Sequence, residues 1–176
     1  GALEDFATAR GLWPDLAEPV LLLGKVYILK GEIPLAEERF AEFHAKTERK
    51  DEFALGAAGV YHDQKEYERQ LSWVERAAES GAREAMRSDS FRHQYRDDDA
   101  LQAAKRAAEI DPRSMEAHRN LALALDRFGK RDDALVEARK AVELAPSSAV
   151  AHQALGNALS SQGKLDEAIA EHRRSL

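Results

Sequence analysis

The chain has 176 residues, 44% of them hydrophobic and 33% charged, so it can bury a core and is not a disordered tail. It has no cysteine, which excludes disulfides, thiolate metal sites and cysteine nucleophiles. The formal net charge of -6 argues against generic nucleic-acid binding. Residues 1–80 carry 10 basic and 16 acidic side chains, and residues 81–176 carry 16 of each, so the acidity sits in the first half. The most apolar stretch, Val20 to Leu29, is interrupted by Gly24, Lys25 and Tyr27, and no segment is long and apolar enough to insert into a membrane. No signal peptide is visible, and the compartment stays open.

Taken in chain order, the elements read as pairs of amphipathic helices. Residues 1–16 form a half repeat carrying Ala2, Phe6, Ala9 and Pro14. The unit near 17–50 has Val20, Leu23, Gly24 and Tyr27 at i, i+3, i+4, i+7 spacing, followed by Ala36, Phe40 and Phe43 on a second helix. The unit near 51–80 repeats this with Ala58, Tyr61, Val74 and Ala77. The unit near 81–114 begins 30 residues later instead of 34 and places Glu84, Arg87 and Asp89 where apolar residues are expected. Ala85, Met86, Phe91 and Tyr95 are left to pack it, so an irregularity is expected at Ser80 to Asp99. The units near 115–148 and 149–176, the last truncated, match each other closely. His118 and His152, Leu121 and Leu155, Leu125 and Leu159, and Ala134 and Ala168 all lie 34 residues apart.

Small residues recur where helices must approach closely. One slot holds Gly24, Ala58, Ser88, Ala122 and Gly156. Another holds Ala2, Ala36, Ala100, Ala134 and Ala168, with Gln70 as the exception. Gly31, Gly129 and Gly163 fall where a helix must end in a left-handed residue. Pro14, Pro112 and Pro146 close the units.

At Val20-x2-Leu23-Gly24-x2-Tyr27, then Ala36-x3-Phe40, then a closing proline, the chain resembles the tetratricopeptide repeat family. The resemblance covers almost all of it. It implies an all-α, right-handed solenoid of stacked helix-turn-helix repeats, 1–176 as one array. It also implies a concave face made by the first helix of each pair. Carried over one residue at a time, that face falls on Leu21, Leu22, Lys25, Ile28, Leu29, Leu55 and His62 in the first half. In the second half it falls on Arg92, Arg119, Asn120, Gln153 and Asn157. The groove would be apolar at its start and polar, partly cationic, near its end. The expected partner is a peptide or helix of another protein, of unknown identity.

Other chemistry has bland explanations beside it. His118 and His152 share a packing slot and lack a third metal donor. Asp97, Asp98 and Asp99 read as an N-cap and helix-dipole contribution, not a calcium loop. Arg83, Arg87, Arg92 and Arg96 read as a solvated face paired with carboxylates. No phosphate loop or nucleophile motif is present, and no cofactor or metal is expected. The ordered carboxylate clamp of the chaperone-tail binders in this family is absent, because Val150 and Ala154 take two of its places. Two alternatives remain. One is an array that recruits substrates for a glycosyltransferase, sulfotransferase or methyltransferase domain outside this chain, since the segment from Leu155 to Ile169 resembles arrays that precede such domains. The other is self-association through ends lacking a polar cap, where Leu165, Ile169 and Leu176 are expected to be exposed.

Overall fold

The computed structural model describes residues 17–176, so the expected half repeat at 1–16 lies outside the described residues. Ten α-helices follow in order, and no strand occurs among the described residues. They are α1 (Ala17–Leu29), α2 (Ile33–Lys46), α3 (Lys50–Asp63), α4 (Tyr67–Val74), α5 (Gly81–His93), α6 (Asp97–Ile110), α7 (Met115–Arg127), α8 (Arg131–Leu144), α9 (Ala149–Ser161) and α10 (Leu165–Arg174). Consecutive helices pair as hairpins, α1 with α2 through α9 with α10. Within the chain two compact units are distinguished, with the boundary between Ala78 and Glu79.

All five hairpin turns use one device. The residue that closes the turn donates its backbone N–H five residues back, from Glu32 to Tyr27 O, Glu66 to Tyr61 O, Arg96 to Phe91 O, Lys130 to Leu125 O and Lys164 to Leu159 O. This bond needs a left-handed residue just before it. Gly31, Gly129 and Gly163 supply it with φ of 78°, 69° and 79°. Lys65 (φ 61°) and Tyr95 (φ 58°) occupy the same position without glycine's freedom. Tyr95 is expected in the core from its residue type. It instead stands 81% exposed, because its backbone is committed to the turn.

The expected irregularity at Ser80 to Asp99 falls one element earlier. Helix α5 is a regular helix of 13 residues, whereas α4 has only 8 against 14 in α2, α6 and α8. The four-residue deletion therefore shortens a second helix. Glu84 and Asp89 on α5 are nevertheless buried, at 1% and 5% exposure. Arg83 and Arg87 both bond the Glu84 carboxylate, Arg87 at 2.9 Å, and Arg92 bonds Asp89. A buried charge of this kind is tolerated only when paired.

In the first unit the core is aromatic. Phe40, Phe53, Tyr61 and Trp73 are almost fully buried, and the Phe40 ring lies 5.7–5.9 Å from the other three in edge-to-face contact. Such pairs are worth about 0.5–1.5 kcal/mol each beyond the area they bury. Gly24 is required here: a Cβ on it would sit 2.1 Å from the Phe40 ring.

The second unit is built from smaller residues. Leu101, Ala104, Leu121, Ala124, Leu125 and Ala134 form one cluster. Ala122, Leu135, Ala138, Leu155, Ala158, Leu159 and Ala168 form the next. Its three first helices are capped alike, by Ser80 on Arg83 N, Ser114 on Ala117 N and Ser148 on Ala151 N. The aspartate triplet lies in the first turn of α6, but Arg96 holds the N-cap position and no side chain caps it. Its contribution is to the helix dipole and to ion pairs, Asp97 with Arg127 and Asp99 with Arg96.

Candidate functional site

The first helices of the second unit present corresponding positions to one face. On α7 these are Arg119, Leu123 and Asp126, and on α9, 34 residues on, Gln153, Asn157 and Ser160. Arg92 of α5 stands in the same register as Asp126 and Ser160. Spacings of four and three keep each set on one side of its helix.

Arg92, Arg119, Leu123, Val150, Gln153, Ala154 and Asn157 line a pocket of about 180 Å³. A second pocket of about 380 Å³ adjoins it, sharing Arg92, Leu123 and Asn157 and adding Asp126, Arg127, Ser160 and Ser161. Four residues named from the sequence, Arg92, Arg119, Gln153 and Asn157, thus converge. The sequence reading missed Leu123, Asp126, Ser160 and Ser161. The signal available for them was the 34-residue register itself, since Leu123 precedes Asn157, and Asp126 precedes Ser160, by one repeat.

The two arginines differ electrostatically. Arg92 is held by Asp89 on its own helix and approaches Nε2 of His93 at 2.9 Å. Arg119 is half-buried, its Nε has no hydrogen-bond acceptor, and no described carboxylate forms an ion pair with it. Burial holds its guanidinium below the usual arginine range. Asp89 and Glu116 pull it back up, while Arg92 pushes it further down. The pocket therefore holds one guanidinium, that of Arg119, with no carboxylate in direct ion-pair contact among the described residues, Asp89 and Glu116 acting on it from further away.

Asn120 is not part of this face. It is 2% exposed and donates Nδ2–H to the carbonyl of Ala85 at 2.8 Å, so it ties α7 to α5.

In the first unit the residues of the expected apolar floor are divided between core and surface. Ile28 is buried at 8% exposure, and Leu21 lies against Gly56. Leu22 and Leu29 are 44% and 67% exposed, and Lys25 pairs with Asp63 at 2.9 Å. Leu55 and His62 are half-buried.

The two histidines are brackets between a carboxylate and a carbonyl. His118 lies between Glu137 (Nδ1 to Oε2, 2.5 Å) and the Pro112 carbonyl (2.9 Å). His152 lies between Glu171 (2.6 Å) and the Pro146 carbonyl (2.8 Å). Two acceptors around the His152 ring favour its doubly protonated form. The Pro146 carbonyl first, and Glu171 second, raise the pKa of His152 against the effect of burial. Each bracket links a first helix, the following helix and the preceding turn. Among the described residues no group of three or more His, Asp or Glu is placed to hold a metal.

Comparison with known proteins now defines the class. A family model of the tetratricopeptide repeat matches residues 137–170. Comparison with curated sequences finds no match. Among solved structures, TTC0263, a thermophilic TPR protein of Thermus thermophilus, is similar with a TM-score of 0.71 at 21% identity, over 92% of this chain and 90% of that one. YrrB, described as a TPR protein with an unusual peptide-binding site, is similar with a TM-score of 0.59 at 20% identity, over 97% and 90%. MamA is similar with a TM-score of 0.64 at 19% identity, over 86% and 91%. The fold is that of the tetratricopeptide repeat proteins, an all-α stack of helix-turn-helix repeats.

Proposed function

We propose that this chain is a non-catalytic binding scaffold. Its second unit holds a peptide segment or helix of a partner protein, anchored by a carboxylate on Arg119 with Arg92 beside it. The observation that carries this reading is the half-buried Arg119, which faces a pocket with its Nε unbonded and with no carboxylate within ion-pair distance among the described residues. Leaving such a cation without a direct ion pair costs stability, and a ligand carboxylate offsets that cost when it binds. Gln153 and Asn157 can both donate to and accept from a peptide backbone. Leu123 and Val150 supply apolar contact along the same wall. The likeness to YrrB, whose description names a peptide-binding site, agrees with it.

An anchor of this kind, less the cost of ordering a peptide, gives micromolar affinity, about -8 kcal/mol. Fluorescence polarisation with labelled peptides, half of them carrying Asp or Glu, tests it. The acidic set should bind. Arg119→Gln should weaken binding about tenfold or more, since a hydrogen bond to a charged group contributes about 1.5–3 kcal/mol. Asn157→Ala should weaken it less. Equal binding of acidic and neutral peptides, or no effect of Arg119→Gln, defeats the reading.

A further inference from the structure

The two adjoining pockets of the second unit differ in the sign of the charge they offer. In the smaller one the charged lining residues are Arg92 and Arg119, and Arg92 is held by Asp89, so Arg119 is the charge left over. In the larger one they are Arg92, Asp126 and Arg127. Arg92 again belongs to Asp89, and Arg127 bonds both carboxylate oxygens of Asp97. Asp126 has no cation within ion-pair distance among the described residues, so here the charge left over is negative. Asp126 also stands in the last turn of α7 (Met115–Arg127), where the carbonyl end of the helix repels a carboxylate and attracts a cation. The Ser160 and Ser161 hydroxyls line the same pocket and can accept from a cationic N–H.

Arg119 and Asp126 are seven residues apart, two turns and about 10 Å along α7, on one side of the helix. Helix α9 follows the same order 34 residues on, with Gln153 level with Arg119, Asn157 with Leu123 and Ser160 with Asp126. An extended partner segment keeps its backbone N–H and C=O groups free for Gln153 and Asn157, whereas a helix has used its own. In the polyproline II conformation three residues make one turn and advance about 9 Å. Side chains three positions apart then lie on one side, at the separation of Arg119 and Asp126.

We infer that the groove selects an extended segment carrying an acidic and a basic residue three positions apart, the acid on Arg119 and the base on Asp126. This rests on the groove reading and adds to it a second anchor and a charge order.

Fluorescence polarisation with labelled peptides of one length and otherwise neutral sequence tests it on the whole chain. The peptides carry an acid alone, an acid with a base three positions away in either chain direction, or two acids at that spacing. The better acid–base peptide should bind about three- to fivefold tighter than the acid alone, and the peptide with two acids several-fold weaker. Asp126→Asn should abolish the advantage of the base and leave binding of the acid-only peptide in place. Asp126→Lys should reverse the preference, with two acids above acid and base. Both variants remove a carboxylate from the negative end of a helix, so the thermal midpoint should not fall. Equal binding of the acid–base and acid-only peptides, or an advantage that Asp126→Asn leaves intact, overturns this inference while the Arg119 anchor stands. Acidic peptides that fail to bind at all overturn both.

Discussion

In the first unit, rings fill the space between helix pairs; in the second, alanines and leucines do, with polar brackets at the edges. The slot occupied by His118 and His152 shows the change. It holds Val20 and Ala54 in the first unit, both buried, then Glu84 with its two arginines, then the two histidines. The repeat architecture is the same, but the chemistry that closes each hairpin is not. Apolar rings give contact energy that is indifferent to pH. The His152 bracket is complete only while the ring carries both protons.

The largest effect should come from the aromatic centre. Trp73→Ala should destabilise the first unit by about 3–5 kcal/mol, read as a lower thermal midpoint. Gly24→Ala should also lower it, by about 1–3 kcal/mol, because Phe40 is locked among three other rings and cannot move aside. The matching change in the second unit, Gly156→Ala, should cost less. Its new Cβ would meet the His172 ring, at 2.7 Å, and that half-buried side chain is not enclosed by other rings as Phe40 is. Equal losses at the two glycines would break the contrast.

Next in size is a pH effect confined to the second unit. The folded pKa of His152 lies above its ordinary 6.5. Its contribution is therefore fully present below pH 6.5 and is lost as pH rises through the folded value. The charged groups facing it are Glu171, a carboxylate that supports the imidazolium, and Arg174, which opposes it. Thermal melts at about pH 5.5, 7 and 8.5 should show the second unit weakening at the alkaline end. His152→Gln should flatten that dependence, and an unchanged slope would remove the bracket from the account.

The smallest effects are at the turns. Lys65→Gly should stabilise the first unit by about 1 kcal/mol, since a left-handed lysine costs about 1–2 kcal/mol that glycine does not. Tyr95→Gly should gain less. It relieves the same backbone but gives up the contact of the Tyr95 ring with the Arg127 guanidinium at 5.8 Å. Chemical denaturation of both variants checks the order.

The periodicity made the hairpins, the turn glycines and the close-approach positions legible, because each follows from spacing alone. The helix at Gly81–His93 was harder. Its buried Glu84 and Asp89 look like surface residues until the arginines one and three positions away are seen to neutralise them. Tyr95 reads as a core aromatic because residue type says nothing of the left-handed backbone under it. Of the groove, Arg92, Arg119, Gln153 and Asn157 were found because repeats place corresponding residues on one face. Asn120, one position beyond Arg119, points about 100° away around the helix, and a one-residue error in register is enough to misplace it.

The groove assignment is tested most directly by a double-mutant cycle between the protein and an acidic peptide that it binds. Arg119→Gln is combined with replacement of the peptide's anchoring carboxylate by its amide, and all four affinities are measured. The account predicts a coupling of about 1.5 kcal/mol or more, the size of a charge-assisted hydrogen bond. A coupling of zero, with the two losses simply adding, would mean that Arg119 does not hold the carboxylate.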